Sequence, residues 1–198
     1  MKPFRLGLTG SIGMGKSTTA QIFAEFGIPV WDADAVVHRL YSAGGAAVGR
    51  LAELCPPALQ DRAISRPALK DWIARDPHAL TLIEAVVHPL VAADRAHFLT
   101  RTDCDILLLD IPLLFEKGSQ SEMDATLLVT APAALQGARV LARPGMTKAA
   151  FAAILSRQMP DAEKRALATH IVETLSLDSV RAYVRALIGH IRGGRAHA

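Results

Sequence analysis

Gly10-Ser11-Ile12-Gly13-Met14-Gly15-Lys16-Ser17 follows the apolar run Arg5-Leu6-Gly7-Leu8 and opens into Ser17-Thr18-Thr19-Ala20. A strand, then GxxxxGK[ST], then a helix is the order in which a chain builds a phosphate-cradling loop. Gly10, Gly13 and Gly15 let successive backbone N–H groups turn toward one phosphate, and Ser11, Ile12 and Met14 supply the remaining peptides of the loop. Lys16 is placed to reach the β- and γ-phosphates, Ser17 to offer its hydroxyl to Mg²⁺, and Thr18 to complete the first helical turn beside the nucleotide. The expected ligands are therefore ATP and Mg²⁺. The loop alone does not name the acceptor, because many ATPases and GTPases share it; no NKxD-type guanine signature occurs in the chain.

Outward from this loop, short apolar runs alternate with helix-length amphipathic segments, the rhythm of βαβ units. Strands are expected at Phe4 to Leu8, Ile28 to Trp31, Asp105 to Ile111, Ala125 to Thr130 and His170 to Glu173. The fold class is α/β, a five-stranded parallel sheet flanked by helices. Residues 1–40 and 104–198 form its core, with a helical lid at about 136–158. Residues 41–103 read as a helical acceptor-binding insertion, helical throughout. Pro67 and Pro77 mark helix starts, Asp76 is a suitable N-cap, and His88-Pro89 breaks or kinks the second helix. In the lid, a Pro144-Gly145 turn separates a helix ending at Arg143 from one capped by Thr147. The last helix, about Leu177 to Ile191, carries Val180, Val184, Leu187, Ile188 and Ile191 on one face and Arg181, Arg185 and Arg192 on its solvated side, and it frays from Gly193 onward.

With 198 residues and 51% hydrophobic content, the chain can bury a full core as one domain with insertions. There is no basic leader before Phe4 and no apolar run of the ~20 residues a membrane span needs. Cys55 and Cys104 lack metal or redox spacing. These features predict a cytoplasmic protein with no membrane partner, a monomer or weak homo-oligomer. The formal charge of +3 is small. The basic stretch from Gln136 to Arg165 suits either an anionic ligand or a solvated helix face. It holds only Phe151 as an interleaved aromatic, which argues against single-stranded nucleic acid.

Asp32 and Asp34 stand at the end of the second strand, the rim where open α/β sheets bind ligands. A carboxylate there can take or orient the proton of an attacking hydroxyl, and Asp34 is the catalytic candidate. Asp32 reads better as a cap or a support for a metal. Asp110 closes the strand Leu107-Leu108-Leu109-Asp110 and is a candidate Mg²⁺ ligand, direct or through water, with Glu116 as a structural partner.

Several motifs fall in one family's order. They are Gly7 to Ser17, Gly27-Ile28-Pro29-Val30-Trp31-Asp32-Ala33-Asp34, Leu82 to Pro89, Pro112-Leu113-Leu114-Phe115-Glu116, and Arg139, Arg143, Arg157-Gln158-Met159-Pro160 and Lys164-Arg165. Together they resemble the dephospho-CoA kinase family. The resemblance implies a nucleoside-monophosphate-kinase-like core and phosphorylation of the ribose 3′-hydroxyl of dephospho-coenzyme A, the final step of CoA biosynthesis. It also implies Asp34 as base, Arg143 stabilising the transferring phosphoryl group, Arg139 beside the nucleotide, and His88 and Leu113 near the acceptor. A kinase for another alcohol or nucleotide, or a nucleotide-binding regulatory module, is the alternative. The segment Thr169 to Ser176 departs from the family's Asn- and Gly-containing turn, so the resemblance carries no base contact there and leaves ATP against GTP open.

Overall fold

The computed structural model describes residues 2–195. It divides into two compact units, one made of the stretches up to Trp31 and from Asp103 onward, the other of Asp32–Thr102. The first holds a five-stranded parallel sheet in the order β2-β5-β1-β6-β7. Its strands are β1 (Phe4–Thr9), β2 (Val30–Asp32), β5 (Ile106–Asp110), β6 (Ala125–Thr130) and β7 (His170–Glu173). Every residue of β5 and β6 is buried. Strands covered by helices on both faces read as near-continuous apolar runs, as Ile106–Leu109 and Leu127–Val129 do within these two.

The register sets Leu6 opposite Leu108 and Ala125, and Leu8 opposite Asp110 and Leu127. With β1 at the centre, its C-terminal end delivers the glycine-rich loop to the middle of the sheet's rim. Gly10 runs against β6 so closely that a Cβ there would overlap Val129 Cγ2. Helix α1 (Lys16–Glu25) buries Ile22 and Phe23 against the sheet, and α9 (Leu177–Arg195) adds Val180, Val184, Leu187, Ile188 and Ile191 to the same core. The face expected for the last helix is the face it buries.

The arginines of α9 lie on its other side but are engaged there. Arg181 meets Glu25 at 2.5 Å, Arg192 meets Asp105 at 2.6 Å, and Arg185 stacks over Phe26. The helix continues through Gly193 and Gly194 to Arg195 rather than fraying, and 196–198 lie outside the described residues.

The second unit contains α2 (Ala33–Tyr41), α3 (Val48–Leu54), α4 (Arg66–Arg75) and α5 (Ala79–Arg101) around a core that includes Leu51, Ala58, Ile64, Leu69, Ile83 and Val87. It is not helical throughout. A two-stranded antiparallel hairpin, β3 (Leu59–Gln60) and β4 (Ala63–Ile64), turns on Asp61 and Arg62, at φ 49° and 61°. Two positive φ values are what the right-handed twist of a tight hairpin requires, and Asp61-Arg62 meets that demand without glycine.

Pro89 does not break α5, which runs unbroken for 23 residues. The missing donor and ring clash cost about 3 kcal/mol. Burial of Ile83 and Val87 on one side of Pro89, and packing of Leu90 and Val91 against the same core on the other, hold the helix together across it. Asp76 caps a turn instead of the helix. Its Oδ1 accepts the His78 N–H at 2.8 Å, its Oδ2 accepts Trp72 Nε1–H at 3.2 Å, and His78 is the N-cap of α5.

Candidate active site

The loop between β1 and α1 turns on Gly13 (φ +79°) and Gly15 (φ +89°). Gly15 is the N-cap of α1 and supplies no side chain to the helix end, and the first turn carries no acidic residue. A helix N-terminus left in this state presents unpaired N–H groups and partial positive charge to an anion. Ser17 and Thr18 are exposed beside it. Lys16 Nζ rests 2.5 Å from Asp110 Oδ1, and that carboxylate is 2% exposed.

Adjacency in the sheet explains the pair, since Leu8 of β1 lies level with Asp110 of β5. The oxygens gathered at this rim, the Ser17 hydroxyl and the Asp110 carboxylate, are hard donors that suit Mg²⁺. Among the described residues no group of three His, Cys, Asp or Glu could form an all-protein cage.

Helix α6 (Ala133–Leu141) lies directly on the loop: a Cβ on Gly13 would overlap Val140 Cγ2. Gln136 Nε2 donates to the Ile12 carbonyl at 2.8 Å, and the Ile12 N–H donates to Gln158 Oε1 at 3.1 Å. Arg139 donates from both guanidinium nitrogens to Thr174, at 2.8 Å to Oγ1 and 2.6 Å to the carbonyl. Thr174 Oγ1 in turn donates to the Met14 carbonyl at 2.9 Å.

Gly13, Gly15, Thr18, Arg143, Leu175 and Leu177 are among the residues lining a cavity of about 340 Å³. That is within the size range of small-ligand pockets. The two arginines of this segment differ. Arg139 is held by Thr174, whereas the side chain of Arg143, exposed just beyond α6, makes no hydrogen bond or ion pair among the described residues.

The next helix, α7 (Lys148–Leu155), begins where Thr147 Oγ1 accepts the Ala150 N–H. Beyond it the Met159 N–H donates to Glu116 Oε1 at 2.9 Å, and Lys164 Nζ on α8 (Asp161–Leu167) lies 2.8 Å from the same oxygen. Lys164 is fully buried. It belongs neither to a solvated basic face nor to an exposed anion site, the two readings open for it in sequence. Burial is the largest single influence on Glu116 and pushes its pKa up, but the Lys164 ammonium and the Met159 N–H together hold it below the ordinary glutamate value.

In the second unit Asp32 is the N-cap of α2, its Oδ1 accepting the Ala35 N–H at 3.0 Å. Asp34 stands exposed in the first turn of that helix. His88 is exposed on α5, 3.6 Å from Glu84 Oε1 one turn away. Leu113, after β5 in the first unit, is an exposed apolar side chain. The structure thus gathers Gly13, Gly15, Thr18, Arg139 and Arg143 around one cavity, sets Lys16 and Asp110 together at the rim, and places Asp34 and His88 within the other unit. Thr174 and Gln136 are contacts of the loop that sequence patterns did not single out, and Gln158, quoted within the Arg157 to Pro160 motif, had no role assigned to it. All three act through single hydrogen bonds across more than 100 residues, a separation that leaves no local pattern to read.

Comparison with known proteins gives one answer. The model of the dephospho-CoA kinase family matches residues 4–178. A protein of Cereibacter sphaeroides named dephospho-CoA kinase is 71% identical over 192 residues, covering 97% of this chain and 98% of the relative. One from Ruegeria pomeroyi with the same name is 55% identical over 195 residues, covering 98% and 99%. A crystal structure of a Thermus thermophilus protein, 38% identical, superposes with a TM-score of 0.85 over 96% of this chain and 98% of that one.

Proposed function

The chain belongs to the dephospho-CoA kinase family and phosphorylates the ribose 3′-hydroxyl of dephospho-coenzyme A, the last step of coenzyme A synthesis; we propose that the donor is MgATP held on the Gly10–Ser17 loop. The observation that carries the reading is the match to a kinase of that name at 71% identity along nearly the whole of both chains. The open N-terminus of α1 and the cavity beside it supply the physical means.

In the transfer, the acceptor oxygen forms a bond to the γ-phosphorus as the bond from phosphorus to the β–γ bridging oxygen breaks. The hydroxyl proton leaves, and the products are coenzyme A and ADP. The loop N–H groups and the N-terminus of α1 hold the β- and γ-phosphates. Lys16 exchanges Asp110 for a phosphate oxygen, while Arg143, which has no partner to give up, moves onto the charge that develops on the transferring group. Asp34 accepts the hydroxyl proton. The Ser17 hydroxyl and Asp110 are the protein oxygens to hold Mg²⁺, which when bound neutralises charge on the β- and γ-phosphoryl oxygens.

No described helix is long and apolar enough to cross a membrane, and we place the enzyme in the cytoplasm with its small-molecule substrates. Incubating the protein with MgATP and, separately, dephospho-CoA, AMP, shikimate and gluconate, followed by mass spectrometry, tests the assignment. Only dephospho-CoA gains a phosphate. Phosphorylation of a different acceptor in its place would overturn the substrate.

A further inference from the structure

We infer that Gln158, on the segment that leads out of α7, is a positioning residue for phosphoryl transfer, acting through the peptide planes of the phosphate loop. The inference rests on the reading of that loop as the seat of the donor nucleotide.

The N–H and C=O of Ile12 belong to two successive peptide planes, and each is held by a glutamine. Gln158 Oε1 accepts the N–H at 3.1 Å, and Gln136 Nε2 donates to the carbonyl at 2.8 Å. In a trans peptide the carbonyl and the N–H point in opposite directions. Drawing the Ser11–Ile12 N–H toward Gln158 therefore turns the Ser11 carbonyl the other way, where it accepts the Met14 N–H at 3.1 Å and closes the loop. Drawing the Ile12 carbonyl toward Gln136 likewise turns the Gly13 N–H away from Gln136, and Gly13 is one of the residues that line the cavity. With its own N–H already donated, Ile12 does not compete for phosphate, and the cradle begins at Gly13.

Gln158 is itself held in place. One residue on, the Met159 N–H is bound by Glu116 Oε1, and Glu116 is fixed by the fully buried Lys164. The chain of contacts runs from the buried pair through the Met159 peptide to the Gln158 carboxamide and on to the loop. Gln158 needs no contact with the nucleotide to act on it.

The test uses the full chain and four variants. Gln158→Met keeps length but removes the acceptor. Gln136→Met removes the donor on the other plane. Glu116→Gln keeps an oxygen for Met159 but loses the charge, and Glu116→Gln/Gln158→Met combines the two. ADP affinity by calorimetry, KM for ATP at saturating dephospho-CoA, kcat, KM for dephospho-CoA and Tm are measured for each.

A single such hydrogen bond corresponds to roughly a fivefold to tenfold change in an equilibrium constant. Gln158→Met and Gln136→Met should each raise the ADP dissociation constant and KM for ATP by about that factor, with KM for dephospho-CoA changed less than about twofold. Glu116→Gln should shift ADP affinity in the same direction by less. Because Glu116 acts through Gln158, the double variant should bind ADP no more weakly than Gln158→Met alone. Unchanged ADP affinity and KM for ATP in Gln158→Met, with only Tm lowered, would overturn the proposal, as would additive losses in the double variant. ADP binding is read without any acceptor, so failure of the dephospho-CoA assignment and failure of this proposal are separate results.

Discussion

The Glu116–Lys164 pair offers a quantitative test of how the segment between α7 and α8 is held. Lys164 has no exposed side-chain surface and Glu116 has 15%, at an Nζ–Oε1 distance of 2.8 Å. Removing one member of a buried pair leaves the other charge unpaired, at a cost of about 3–5 kcal/mol. The cost should be unequal. Glu116→Leu strands an ammonium wholly out of water and also removes the acceptor of the Met159 N–H. Lys164→Met leaves a carboxylate that keeps partial access to water and that same N–H donor.

For a chain of this length each kcal/mol lowers Tm by about 2–4 °C. Glu116→Leu should therefore lose roughly 6–20 °C, Lys164→Met clearly less, and the double variant should recover most of the Glu116→Leu loss, since an apolar pair of similar volume is often as stable as a buried ion pair. Differential scanning calorimetry of all four proteins reads the result. A Glu116→Leu shift under about 2 °C, or losses that simply add in the double variant, would refute the argument. The pair also gives a pH signature. Glu116 titrates below its ordinary value in the folded state, so the folded protein binds fewer protons, and the stability this supplies is present above the unfolded value near 4.5 and lost as pH falls through the lower folded value. Lys164→Met should flatten the fall of Tm with acid.

Three further outcomes are expected. Lys16→Ala should abolish turnover, and because it leaves Asp110 buried without its ammonium it should also lower Tm, an effect that Lys16→Ala/Asp110→Asn partly reverses; retained turnover would refute the role of Lys16. Arg143→Ala should cut kcat by ~10³-fold or more with Tm unchanged, as its side chain has no partner to lose; an unchanged kcat in steady-state assays would make this arginine a solvated residue only. Asp34→Asn should lower kcat by ~10²- to 10⁴-fold with little change in ATP affinity, whereas Asp32→Ala, which removes the cap of α2, should cost about 1 kcal/mol of stability in a denaturant titration and less activity.

Much of the sheet was legible in advance. Leu107-Leu108-Leu109 and Leu127-Leu128-Val129 stand out because burial on both faces favours apolar residues at successive positions. The glycine-rich turn from β1 into α1 was legible for a different reason: its strand, its spaced glycines and its helix start all lie within a few neighbouring residues. What failed to show had no local cause. The hairpin at Leu59–Ile64 hides because Asp61-Arg62 adopts a turn that glycine or asparagine usually marks. The unbroken α5 hides because packing outweighs the effect of Pro89, and packing is not written in neighbouring residues. Lys164 looked like its solvated neighbours because a lysine's burial depends on a carboxylate 48 positions away, at Glu116. That Arg139 is held by Thr174 while the Arg143 side chain is not has no local cause either, since Thr174 lies 35 positions from Arg139.

The strand order carries a consequence for biosynthesis. Strand β1 is the first to leave the ribosome, yet both of its hydrogen-bonded neighbours, β5 and β6, begin at Ile106 and Ala125. At synthesis rates of about 5–20 residues per second, the nascent β1 with its phosphate loop waits on the order of 5–20 s before either partner emerges. Asp32–Thr102, by contrast, is a continuous stretch with its own apolar core, complete before β5 is translated. The later-encoded sheet must therefore close around an N-terminal strand kept unpaired throughout that interval. Nascent chains stalled before Ile106 should leave Phe4–Thr9 open to protease, and those long enough for β5 and β6 to have left the ribosome should leave it protected.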